Sequence, residues 1–82
     1  DVDRTLLAGL HLQKRAADRA FTTADANRRL LEHGVKLGNP SQSVKQNLVA
    51  KRAFAVQRGR YRVAQTGLGH LEQLTGRRLA DG

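Results

Sequence analysis

The chain has 82 residues, with 15 lysines and arginines against 7 aspartates and glutamates and no cysteine. That length allows a single domain, 1–82, which buries only about 60% of its unfolded surface; without thiols, neither a disulfide nor a thiolate-bound zinc can supplement an aliphatic core. No apolar run approaches the roughly 20 residues of a membrane span, and charged residues interrupt the opening DVDRTLLAGLHLQKR too early for a secretory signal. The expected setting is therefore cytoplasmic, or within a virion or similar assembly. A chain this small gains burial from partners, so a homo-oligomer or a subunit of a larger complex is expected.

The formal charge of +8 is uneven. Residues 1–35 carry six basic and five acidic groups, residues 36–71 carry seven basic and none acidic, and residues 72–82 balance at two of each. An uncompensated basic segment implies an anionic partner: DNA or RNA, or an acidic protein surface.

Taken in order, Asp3 or Thr5 opens a first helix in which Leu6, Leu7, Leu10, Ala17, Ala20 and Phe21 share a face at 100° per residue. At Thr22-Thr23-Ala24-Asp25 an oxygen at the cap with a carboxylate three residues on starts a second helix. The chain there has neither Gly nor Pro, so one kinked helix over 3–33 remains an alternative to two over 3–21 and 23–33. His33-Gly34 is a helix stop, with Val35 folding back onto Leu30. Asn39-Pro40 is a strong restart, with Asn as the cap and Pro at the first helical position. A third helix is expected over 40–75, with any break near Gly67 and Gly69, and a frayed tail over 76–82. The expected fold class is all-α, an antiparallel helical hairpin or a three-helix arrangement.

On the long third helix, Phe54, Tyr61, Leu68 and Leu71 would lie on a wide apolar arc suited to packing against a partner. Lys51, Arg52, Arg58 and Arg62 would lie on a basic arc flanked by Lys45, with Arg60 nearer the apolar side. Lys51 to Arg62 would span about 16 Å of helix, enough to meet several phosphates of one strand. Gln46, Asn47, Gln57 and Gln65 are possible further contacts. Tyr61 is the only aromatic near the arginines, so the pattern points to phosphate contacts rather than base stacking. The connection GVKLGNP is longer than the turn of a compact helix-turn-helix.

No enzyme class is indicated. The chain has no phosphate-cradling GxxxxGK[ST], no GxSxG and no cysteine nucleophile, so no catalytic residue and no cofactor is expected. His11, His33 and His70 are far apart in sequence and lack a second ligand at helical spacing, so no metal site is expected. Asp18 and Asp25 are expected to pair locally with Arg15 and Arg29.

The run Leu48-Val49-Ala50-Lys51-Arg52-Ala53-Phe54, followed by Ala64, Leu68, Leu71 and Leu74, resembles the C-terminal helix of bacterial flagellar rod and hook proteins. Lys51 and Gln57 stand where that pattern usually has Gln and Asn. The resemblance implies a helix over 48–74 packed in a tubular assembly. Two functions are therefore expected in parallel: a non-enzymatic basic module gripping nucleic acid through phosphates, and a helical structural or adaptor subunit of a bacterial or phage assembly.

Overall fold

In the computed structural model, which describes residues 2–77, six elements follow one another: α1 (Val2–Arg15), α2 (Thr23–Glu32), α3 (Pro40–Val49), β1 (Ala53–Gln57), β2 (Arg60–Val63) and α4 (Gln65–Thr75). The domain is mixed α/β, which corrects the all-α expectation.

Helix α1 is the axis of the packing. It carries Asp3 in its first turn and Lys14 and Arg15 in its last, the polarity that suits the helix dipole. Leu6 and Leu10 are fully buried and meet Phe21, Ala26, Leu30, Leu37, Ala53, Val63 and Leu71 in one core. The first helix ends at Arg15 and not at residue 21, and Ala17 is exposed. Beyond it the chain turns through Arg19, whose φ of 55° is left-handed. This turn brings Phe21 back against Gly9: a β-carbon there would lie 2.6 Å from the Phe21 ring.

The fork at Thr22 resolves into two helices. Thr22 Oγ1 accepts from the Asp25 N–H at 3.1 Å, capping α2. At the far end Gly34 takes φ 78°, and the Val35 N–H reaches back to the Leu30 carbonyl at 2.8 Å. That is the Schellman geometry expected for His33-Gly34. Asn39 Oδ1 in turn accepts from the Gln42 N–H at 3.1 Å and opens α3, with Pro40 at its start.

The expected helix over 40–75 does not form. It is divided into α3, an antiparallel hairpin and α4, so the helix implied by the flagellar resemblance over 48–74 is also absent. The break lies at residues 50–52 and not at Gly67–Gly69, both of which are inside α4. Lys51 adopts φ 61°, and the Arg52 N–H bonds to the Asn47 carbonyl at 2.9 Å, a second Schellman turn made without glycine. The hairpin then pairs Ala53 with Val63, Phe54 with Arg62 and Ala55 with Tyr61, with an irregularity before Gln57–Arg60. Gly59, at φ 78°, closes the connection between the strands.

Helix α4 starts immediately after β2 and stops at Thr75, where Gly76 takes φ 68°. The end expected near residue 75 is therefore present; of the tail expected over 76–82, residues 78–82 lie outside the described residues. Leu71 is buried on α4, and Gly67 lets that helix approach the Arg52 carbonyl. No helix among the described residues is long and apolar enough to cross a membrane.

Candidate nucleic-acid interface

The alternation of burial along α3 defines its outer surface. Ser43, Val44 and Asn47 face the core, and Asn47 Nδ2 donates to the Val2 carbonyl at 3.0 Å, tying α3 to the start of α1. Ser41, Gln42, Lys45, Gln46 and Val49 are exposed. These five positions run i, i+1, i+4, i+5, i+8, a single stripe on a helix. Three residues separate the end of α3 from β1, and one of them is exposed Lys51.

The hairpin that follows is clamped at its base and free at its tip. Phe21 and Tyr61 exchange two backbone hydrogen bonds, each 2.8 Å, making a one-residue third rung to the sheet. Their rings are 6.1 Å apart between centroids and tilted. The buried Gln13 side chain accepts from the Val63 N–H at 2.7 Å. Two arginines of β2 bind the 16–22 turn. Arg60 pairs with Asp18 at 2.6 Å and donates to the Ala20 carbonyl at 3.2 Å. Arg62 donates to the Arg19 carbonyl at 2.7 Å and to the Asp18 carbonyl at 2.8 Å. The Arg60 hydrogen bond holds the Asp18 carboxyl below its ordinary value, and the same bond raises the Arg60 guanidinium.

The expected basic arc of Lys51, Arg52, Arg58 and Arg62, flanked by Lys45 and with Arg60 nearer the apolar side, does not form, and the six residues separate into two groups. Lys45 on the outer face of α3, Lys51 in the turn and Arg58 at the hairpin tip are exposed and form no ion pair among the described residues. Arg52, Arg60 and Arg62 are partly buried: Arg52 lies 3.7 Å from Asp3, while Arg60 and Arg62 hold the hairpin to the 16–22 turn. Asp25 pairs with Arg28, and Asp18 with Arg60, in place of the local partners expected for them.

The four expected packing residues also separate. Leu71 is in the core, Leu68 and Tyr61 pack against it partly buried, and Phe54 is 45% exposed with the Arg62 guanidinium 6.0 Å from its ring centroid. That separation is at the limit of a cation–π contact.

Sequence reasoning missed Ser41, Gln42 and Val49 as members of the exposed stripe, although their spacing about Lys45 and Gln46 is visible once α3 is known to end at Val49. His70 binds Asp3 at 2.8 Å and links α4 to α1. Among the described residues, no grouping of His, Cys, Asp or Glu could hold a metal ion. Comparison of the chain with protein-family models, characterised proteins and solved structures gives no match.

Proposed function

We propose that the protein is a non-enzymatic DNA-binding module that presents α3 to the major groove and the hairpin tip to the adjoining backbone. The observation that carries this reading is the outer stripe of α3. Lysine, glutamine and serine side chains stand exposed on a helix of 10 residues, within a segment that has no carboxylate between Lys36 and His70. A helix of that length extends about 15 Å, and the major groove of B-form DNA is about 12 Å wide. Lys45 and Gln46 have the chemistry for guanine and adenine edges, while Lys51 and Arg58 supply phosphate contacts.

The layout of three helices, a two-stranded hairpin and a closing helix is that of a winged helix-turn-helix. This is an analogy of architecture alone. Seven residues connect α2 to α3, more than the three or four of the compact motif. Duplex DNA is favoured over duplex RNA, because the A-form major groove is too narrow for a helix. Single strands are disfavoured, because Phe54 is the only exposed aromatic among the described residues. Such a role places the protein beside a genome, in the cytoplasm or within a virion.

A second reading, a subunit of a larger assembly, is supported by exposed apolar side chains in and just before the hairpin. Val49, Phe54 and Val56 are 75%, 45% and 37% exposed.

Fluorescence anisotropy of labelled duplex DNA, duplex RNA and single-stranded DNA at several salt concentrations separates these readings. The expected result is tightest binding to duplex DNA, with a log–log salt slope of about −0.9 per phosphate neutralised. Lys51→Ala/Arg58→Ala should make that slope shallower by about 2. Equal, weak binding to all three nucleic acids would refute the DNA reading. Concentration-dependent association in sedimentation, lost in Phe54→Ser/Val56→Ser, would support the assembly reading.

A further inference from the structure

On another part of the molecule, α1 and the C-terminal half of α2 enclose a cleft of about 380 Å³. That volume lies within the roughly 300–1,000 Å³ of small-molecule sites. Its walls are mainly apolar, from Leu7 on α1, Leu30 on α2 and Val35 beyond the Gly34 turn. Four basic side chains surround these walls: Arg4 and His11 from α1, Arg29 and His33 from the end of α2. Arg4, Leu7 and His11 follow i, i+3, i+7 spacing and so share one face of α1.

Among the described residues, no carboxylate lines the cleft. The nearest acidic residue along α2, Glu32, borders a neighbouring hollow with Asp25, Arg28 and Arg29. No ion pair among the described residues engages Arg4 or Arg29. Partial burial lowers the pKa of His11, and the charges that act on it, from Arg29, Lys14, Arg15 and His33, are all positive and lower it further. An apolar cavity rimmed by two guanidinium groups, with two imidazoles as further hydrogen-bonding groups, is complementary to one kind of molecule: an anion with a hydrocarbon body. Its tail replaces water against Leu7, Leu30 and Val35, and its carboxylate relieves the mutual repulsion at the rim.

We propose that this cleft binds a small amphipathic organic anion, a medium-chain monocarboxylate in chemical class, with its tail between α1 and α2 and its carboxylate between Arg4, His11, Arg29 and His33. The site is independent of the α3 surface. It borders Val35 in the connection that leads from α2 into α3, so an occupant touches that connection.

The test is a heteronuclear NMR titration of the full chain with octanoate, and in parallel with 1-octanol and octylammonium. Octanoate should bind saturably, with shifts centred on Leu7, His11, Leu30, His33 and Val35, and at least tenfold more tightly than either uncharged or cationic probe. Arg29→Gln should weaken octanoate about tenfold, the loss expected for one hydrogen bond to a charged group, while leaving 1-octanol unchanged. Bound octanoate should also raise the His11 pKa. Arg58→Ala, on the hairpin tip, should have no effect and serves as the control for general attraction to a basic protein. Equal affinity for octanoate and 1-octanol would overturn the proposal, as would shifts scattered over the surface or an Arg29→Gln variant that binds octanoate unchanged.

Discussion

Two glycines of α4, two residues apart, should respond with opposite sign to the same substitution. Gly69 has open space where a β-carbon would stand. Gly69→Ala should therefore express only the helix preference of alanine, a gain of about 1 kcal/mol. Gly67 is buried against the turn between α3 and β1. A β-carbon there would lie 2.9 Å from the Arg52 carbonyl carbon, closer still to its oxygen, and 3.0 Å from Val63 Cγ1. The obstacle is backbone, and that carbonyl already accepts the Ala64 N–H at 2.8 Å, so it cannot turn aside without breaking the bond that ties the cap residue of α4 to the turn. Overpacking costs about 1–3 kcal/mol or more, and an obstacle of this kind falls at the upper end. Net of the alanine preference, Gly67→Ala should lose about 2 kcal/mol. For a domain this size 1 kcal/mol corresponds to about 4–8 °C, so the two variants should separate by roughly 12–24 °C in Tm. Thermal unfolding followed by circular dichroism reads this directly. In an uninterrupted helix over 40–75 both substitutions would stabilise. Finding Gly67→Ala as stable as Gly69→Ala would therefore refute the close approach of α4 to Arg52, and the hairpin fold with it.

Three further outcomes follow from the clamp and the turns. The Asp18 carboxyl, held by Arg60, titrates below its ordinary value of 3.8. Its contribution is therefore complete above that value and disappears as pH falls through the lower folded-state pKa. Asp18→Asn should flatten the acid limb of a Tm–pH profile below about pH 4, and an unchanged limb would show that the pair contributes nothing. Gln13→Leu leaves the buried Val63 N–H without its acceptor, at a cost of about 1–3 kcal/mol. Hydrogen exchange at the Val63 amide should accelerate in that variant, and retained protection would contradict the bond. Lys51→Gly relieves a left-handed residue worth about 1–2 kcal/mol, against a glycine entropy loss of about 0.5–1 kcal/mol. Stability in urea should therefore rise slightly while DNA affinity falls; a stability loss would refute the strain, and an unchanged affinity would remove Lys51 from the interface.

Three boundaries in the first half of the fold are legible because each is marked by a residue with a local reason to be present, whereas the end of α1 at Arg15, six residues before the expected one, carries no such mark. Thr22 caps with its hydroxyl, Gly34 accepts a positive φ, and Asn39-Pro40 combines a cap with a ring that fits the first helical position. The second half hides one boundary. The turn after α3 has the same hydrogen bonding as the turn after α2, yet places a lysine where glycine is the usual signal. With no glycine to mark that stop, Phe54-Ala55-Val56 and Tyr61-Arg62-Val63 also fit a period of 100° per residue. Short apolar runs satisfy helical and extended periods equally. Two signs favoured a hairpin: β-branched and aromatic residues on either side of Gly59, and glycine at the only position between them that needs a positive φ. The anchors of the hairpin were not legible at all, since Gln13, Asp18 and Phe21 lie about forty to fifty residues from their partners Val63, Arg60 and Tyr61.

The hairpin also changes what the positive charge means. On a continuous helix, Lys51, Arg52, Arg58 and Arg62 would have formed one electrostatic arc flanked by Lys45, interchangeable in their attraction to phosphate. In the folded chain Arg60 and Arg62 have fixed partners in the 16–22 turn, and both use the planar fork of donors that lysine lacks. Replacing either with lysine should therefore loosen the hairpin, although the net charge stays the same. The charge available to a partner is smaller and more dispersed, at Lys45, Lys51 and Arg58, and it borders a polar helix face in place of an apolar one. A surface of that kind gains little from phosphate attraction alone and more from groove shape and base edges. Discrimination between duplex DNA and other polyanions is therefore a sharper criterion for this protein than affinity itself. A linear polyphosphate that competed as well as duplex DNA at equal phosphate concentration would reduce the interface to its three cations, and the exposed glutamines and serine of α3 would have no part in it.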